Sequence, residues 1–135
     1  HITSKQKGSL STTQSKTPLV LLHGYMNGCL YFYRNFYGLS RYFESIYSVD
    51  LLGWGLSSRP KLALPSNPSN SAQQQDTITV QRELTEAFFV ESLEAWRKAQ
   101  GVDKMILAGH SMGGYISVAY TEKYPEHVER LILIS

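Results

Sequence analysis

The sequence is short of several features that mark whole classes of protein. Its 135 residues hold one cysteine, Cys29, so no intrachain disulfide can form and a reducing compartment is permitted. No apolar run approaches the roughly 20 residues that a membrane-spanning helix needs. Charge is nearly balanced, 13 Lys and Arg against 11 Asp and Glu, for a net +2. So small an excess leaves no footprint for nucleic acid and no strong pull toward an anionic membrane. No grouping of His, Cys, Asp and Glu has metal-ligand spacing, so neither a metal nor another cofactor is expected. No internal repeat is visible. What the chain does have is an ordinary 42% of hydrophobic residues and enough length for one domain. A core that removes about two-thirds of the unfolded surface from water is within its reach.

Residues 109–113 read Gly-His-Ser-Met-Gly. A bare G-x-S-x-G arises by chance in roughly one chain in twenty-five of this length, so context must decide its meaning. The apolar run 105–108 (MILA) precedes it and a helix-compatible stretch, 114–124, follows. That is the strand–turn–helix setting of a nucleophile elbow, a turn tight enough to strain the residue at its tip. Gly109 and Gly113 are the small flanking residues it needs, and Ser111 stands at the tip as candidate nucleophile for acyl transfer. An oxyanion hole requires one backbone N–H after the nucleophile and one from the loop after an earlier strand. Met112 offers the first. Tyr25, directly after His23 and Gly24 at the end of an apolar run, offers the second.

The rest of the chain alternates strands and helices. Residues 18–23, 45–50, 104–109 and 130–135 read as strands, and 29–44 and 80–100 as helix-length stretches, with Gly101 as a helix stop. In the second of these, Leu84, Phe88, Phe89, Leu93 and Trp96 share a face, with Glu91, Glu94, Arg97 and Lys98 expected mostly elsewhere. Residues 4–17 read as a polar loop and 61–77 (KLALPSNPSNSAQQQDT) as a flexible, low-complexity insertion. Strands alternating with helices imply crossovers and a parallel sheet. The chain opens on His1 and stops at Ser135 after an apolar run, so residues 1–135 are expected to be the N-terminal part of one domain in a longer protein. Alone, such a piece is expected to be inactive and unstable, for want of a general base and of cover for its sheet edges.

Other residues invite blander readings. His110 adjoins Ser111 but should point away from it, and orient the loop or pack. His23 is expected to be structural, His127 solvent-exposed, and Cys29 a small, partly buried residue. Asp50 ends a strand but precedes the nucleophile, and reads as a carboxylate that holds a loop. Seven aromatics crowd residues 31–43: Tyr31, Phe32, Tyr33, Phe36, Tyr37, Tyr42 and Phe43. Most should pack on the sheet. Tyr31 and Phe32, with Trp54 in the following loop, are candidates to line an acyl-chain pocket or touch a lipid interface.

Three blocks resemble the α/β-hydrolase family: residues 18–25 (PLVLLHGY), 48–60 (SVDLLGWGLSSRP) and 89–135, which include FVESLEAWRKAQG and GHSMGGY. Together they are similar to one branch of it. That branch holds a lipid-droplet lipase coactivator, its lysophospholipase paralogue, a plant homologue and a fungal cardiolipin deacylase. The resemblance implies an α/β-hydrolase fold with a mostly parallel sheet, here in its N-terminal part. It also implies a serine ester hydrolase on (lyso)phospholipids or related esters, with lysophosphatidic acid acyltransferase activity in some members. That activity is tied in the branch to a C-terminal His-x4-Asp motif, a spacing this sequence does not contain. The coactivator carries Asn at the nucleophile position, so Ser111 favours an enzyme over a non-catalytic coactivator bound to lipid. The expected location is intracellular, in the cytoplasm or peripheral on a lipid droplet, endoplasmic reticulum or mitochondrial membrane. The expected partner is a lipid substrate.

Overall fold

Apolar runs too short for independent helices form the middle of a sheet. The structure, a computed structural model, describes residues 2–3, 14–66 and 71–135. Its strands are β1 (Ile2–Thr3), β2 (Leu19–Leu22), β3 (Ser45–Val49), β4 (Met105–His110) and β5 (Val128–Ile134), in the order β1-β3-β2-β4-β5. The last four are parallel, and β1 adds an antiparallel pairing to β3. β2 lies at the centre, with Val20 level with Tyr47 on one side and Leu107 on the other. All four of its residues are buried, as a strand covered on both faces requires.

Alternate strand residues feed two separate layers. Val20, Leu22, Met105 and Leu107 face Val90, Leu93, Ile116 and Tyr120 of the long helices. Leu19, Leu21, Ile46, Ile106 and Ala108 face Phe32, with Phe36, Leu39 and Phe43 packed behind. The second layer departs from the single helix expected over 29–44. It is a 3-10 turn, Cys29–Phe32, and a one-turn helix α1, Phe36–Leu39. Asn35 and Gly38 are poor helix formers, and so short a segment cannot recover the cost of a helix nucleus. The phenylalanines pack on the sheet, while Tyr31, Tyr33, Tyr37 and Tyr42 are exposed.

Helix α2 spans Ser71–Ala99 and so begins before the expected start at residue 80. Of the stretch 61–77, residues 67–70 lie outside the described residues and those from Ser71 onward are helical, where a run of three glutamines favours helix. Of the expected loop 4–17, residues 4–13 lie outside the described residues, and Ser15 bridges to Phe43. Gly101, at φ +66°, ends α2 in the left-handed region that Gly tolerates. No helix among the described residues is long and apolar enough to cross a membrane.

One expectation for α2 is corrected. Glu94 and Arg97, expected mostly away from the apolar face, are buried all the same, 3% and 6% exposed. The Arg97 guanidinium donates twice to the Glu94 carboxylate, at 2.8 Å each, and the Tyr120 hydroxyl of α3 donates to it at 2.6 Å. Arg97 also donates to the Val102 and Asp103 carbonyls past the helix end. Burial of both charges is tolerated because each is paired and hydrogen-bonded. The cluster ties α2 to α3 (Met112–Lys123) and to the turn before β4.

Arg97 holds the Glu94 carboxyl down to about 2, against the upward push of burial and with help from Tyr120. Since an unfolded Glu titrates near 4.3, this group adds on the order of 3 kcal/mol that is present above about pH 5 and lost as pH falls toward 2. Urea unfolding of full-length wild type and Glu94→Gln across this range should show the difference between them shrinking on acidification. A pH-independent difference would contradict the assignment.

Candidate active site

The link from β4 to α3 is one residue long. Ser111 sits there at φ +52°, ψ −118°, a conformation a side-chain-bearing residue rarely adopts. Glycines on either side let the turn close. A Cβ at Gly109 would lie 2.3 Å from the Gly113 carbonyl oxygen and 2.5 Å from Ser117 Oγ. A Cβ at Gly113 would lie 2.4 Å from the Leu22 carbonyl oxygen and 2.6 Å from that of His23. The start of α3 is thus pressed on the end of β2, which is level with the elbow because Leu22 pairs with Gly109.

The same register brings the oxyanion candidates to the serine. Gly24 follows β2, and a Cβ there would lie 3.2 Å from Ser111 Cβ. Tyr25 comes next in the chain. Among the described residues neither the Tyr25 nor the Met112 amide has a hydrogen-bond partner, and the Ser111 hydroxyl has none either. The Ser111 backbone is anchored instead, its N–H donating to Ile134 at 3.2 Å and its carbonyl accepting from Tyr115 at 3.1 Å. A cavity of about 560 Å³ opens beside it, lined by His110, Ser111, Tyr115, Leu133 and Ile134. The positive end of the α3 dipole lies behind the serine, where it favours negative charge.

The surrounding polar residues hold loops. His23 is fully buried; its Nε2 accepts the Leu51 N–H at 3.1 Å, so its proton sits on Nδ1, 2.8 Å from the Gly24 carbonyl. Asp50 accepts the Cys29 N–H at 2.6 Å and the Leu56 N–H at 3.0 Å, the loop-holding role read from its position. Burial pushes its carboxyl up, but these amide bonds outweigh it and hold the group below the usual carboxylate range. Burial, with Asp50 beside it, pushes the Cys29 thiol up, which disfavours a thiolate. His127, expected to be exposed, has 22% of its side-chain surface open and hydrogen-bonds the Asp103 carbonyl at 3.0 Å. The turn after Pro125 folds the ring back toward Tyr124.

The aromatic candidates separate. Tyr31 stacks on His110 with ring centroids 4.8 Å apart, so His110 packs sideways. Trp54 meets Tyr25 edge-on at 5.0 Å. Both therefore border the elbow. Phe32, 5% exposed, is turned into the core layer under the sheet. Sequence reading missed Tyr115, which lines the cavity; its signal was its place one helical turn after Ser111. No group of three or more potential metal ligands is found among the described residues.

Relief of backbone strain gives a test of the elbow. Ser111→Gly removes the side chain that disfavours φ +52°, whereas Ser111→Ala keeps a Cβ there. The glycine variant of the full-length protein should be the more stable by about 1 kcal/mol or more in denaturant unfolding. Equal stabilities would show the turn to be unstrained.

Comparison with known proteins fits this geometry. Residues 17–135 match the family described as alpha/beta hydrolase fold. A marine microorganism esterase superposes with a TM-score of 0.65 at 23% identity, over 89% of this chain and 38% of that one. An epoxide hydrolase from an endophytic Streptomyces gives 0.69 at 17% identity, over 90% and 31%. At such identities the likeness is one of fold. Among curated relatives, a 1-acylglycerol-3-phosphate O-acyltransferase of Arabidopsis thaliana is 44% identical over 116 residues, 86% of this chain and 24% of the relative. The Homo sapiens 1-acylglycerol-3-phosphate O-acyltransferase ABHD5 is 43% identical over 120 residues, covering 89% and 30%. Protein ECM18 of Saccharomyces cerevisiae is 34% identical, covering 93% and 31%. The chain thus spans a quarter to a third of the length of these relatives, and on the match over residues 17–135 it belongs to the α/β-hydrolase family.

Proposed function

We propose that Ser111 is the nucleophile of an acyl-transfer enzyme acting on carboxylic esters of glycerolipids, (lyso)phospholipids foremost. The observation that carries this reading is the strained Ser111 at the tip of a strand-to-helix turn, beside two amides that have no hydrogen-bond partner among the described residues. Ser111 Oγ attacks the ester carbonyl, forms an acyl-enzyme and releases the alcohol. The Tyr25 and Met112 N–H groups receive the oxyanion, each contributing on the order of 3 kcal/mol to lowering the barrier. No His is hydrogen-bonded to the Ser111 hydroxyl among the described residues. The base and its acid partner would come from elsewhere in the full-length protein, following this fold's order of serine, acid, histidine.

The names of the curated relatives support acyl transfer on lysophosphatidic acid-type glycerolipids as the chemistry, with water or a lysolipid as acceptor. The exposed side chains of Tyr25, Met26 and Tyr31 beside the elbow support an encounter with substrate at a membrane or lipid-droplet surface. Tyr31 and Trp54 would border the cleft.

Fluorophosphonate labelling of the full-length protein tests the nucleophile. Wild type should be labelled and Ser111→Ala should lose labelling entirely. A folded wild type without labelling would contradict the reading and leave the elbow as a shape kept by a non-catalytic lipid-bound coactivator.

A further inference from the structure

A second concavity, of about 460 Å³, lies between α2 and α3. Its walls are Leu64 from the segment before α2, Ile78 and Phe89 from α2, and Met112, Tyr115 and Ile116 from α3. This size is typical of a small-molecule site. Leu64 and Ile78 leave 44% and 45% of their surface open to water, an unfavourable arrangement for an empty groove.

Two features say what fits. The first is continuity with the nucleophile. Tyr115 lines both this groove and the cavity beside Ser111. Met112, whose amide is the oxyanion donor assigned above, also lines it. The groove therefore begins where an acyl carbonyl held at Ser111 would place its chain. The second is the state of its polar groups. The Tyr115 hydroxyl donates to Glu86 at 2.6 Å, the Thr85 hydroxyl to the Gln81 carbonyl at 2.7 Å, and the Gln81 amide to the Pro65 carbonyl at 2.7 Å. These groups are engaged with one another, and the remaining polar lining residue, Arg82, is exposed, so its guanidinium can stay in water. A peptide in the groove would bring backbone donors and acceptors that need partners, whereas a hydrocarbon chain brings none.

We infer that the α2–α3 groove is the acyl-chain subsite of the ester handled at Ser111, with Tyr115 as the divider between chain and reacting carbonyl. The inference rests on the serine reading above. Tyr115 is held upright by its bond to Glu86, so it sets where the chain bends from α3 toward α2. Chain-length preference then depends on the far wall, Leu64 and Ile78.

The test uses the full-length protein and two alkyl fluorophosphonates, one with an ethyl and one with a hexadecyl chain. Ile78→Trp and Leu64→Trp each fill the groove from a different side, and labelling by the ethyl probe shows which variants are folded. The expected result is a fall of about ten-fold or more in the ratio of hexadecyl to ethyl labelling rates in a folded variant, the size of effect that lost methylene burial produces. A ratio unchanged in both would overturn the inference while leaving the serine assignment intact, and would make the groove a packing surface for polypeptide. Absence of labelling of wild type by either probe would instead overturn the serine reading, and this inference with it.

Discussion

The contact between the start of α3 and the end of β2 governs the architecture. Gly113 lies against the Leu22 and His23 carbonyls so closely that no side chain fits between them. Gly109 packs as tightly against the Gly113 backbone and Ser117. With both sides closed, the chain can pass from strand to helix only through the strained conformation of Ser111. That strain places the hydroxyl and the Met112 amide at the same edge of the sheet as Tyr25, before any substrate arrives. Preorganisation of this kind is what electrostatic stabilisation of an oxyanion requires, because donors already in place need not reorganise as charge develops.

The remainder of the fold keeps that contact in place. β2 and β4 are neighbours in a central parallel pairing, so their ends are level and the Tyr25 and Met112 amides follow the ends of adjacent strands. His23 and Asp50 pin the loops after β2 and β3 with hydrogen bonds to Leu51, Cys29 and Leu56. On the other side, the buried Glu94–Arg97 pair with Tyr120 fixes α2 against α3. The same helix–helix register shapes the groove that leads from Tyr115 to Ile78.

Local patterns made much of this readable in the sequence. Residues 19–22 and 105–108 are short uninterrupted apolar runs, as strands buried on both faces show, and the glycine spacing around Ser111 follows from one tight turn. Gly101 ends α2 where a left-handed residue was needed. What escaped the sequence was set by distant partners. Glu94 and Arg97 look like surface charges until Tyr120 and the carbonyls after α2 are placed around them. The break between Phe32 and Phe36 is invisible to a helical period that both residues obey. Phe32 and Tyr31 are adjacent in sequence, yet one belongs to the core and the other to the elbow's border. His127 is drawn inward by the turn after Pro125 and by its bond to the Asp103 carbonyl. Tyr115 was marked only by its place one helical turn after Ser111, since its importance comes from standing between two cavities.

The central claim is that the Ser111 turn presents a serine to two preset amides. It is tested most directly by a crystal structure of the full-length protein carrying an ethylphosphonyl group on Ser111 Oγ. The account predicts the phosphoryl oxygen at about 3 Å from both the Tyr25 and the Met112 nitrogen, with Ser111 still at positive φ. A phosphoryl oxygen directed to solvent, or either amide turned away from it, would contradict the account.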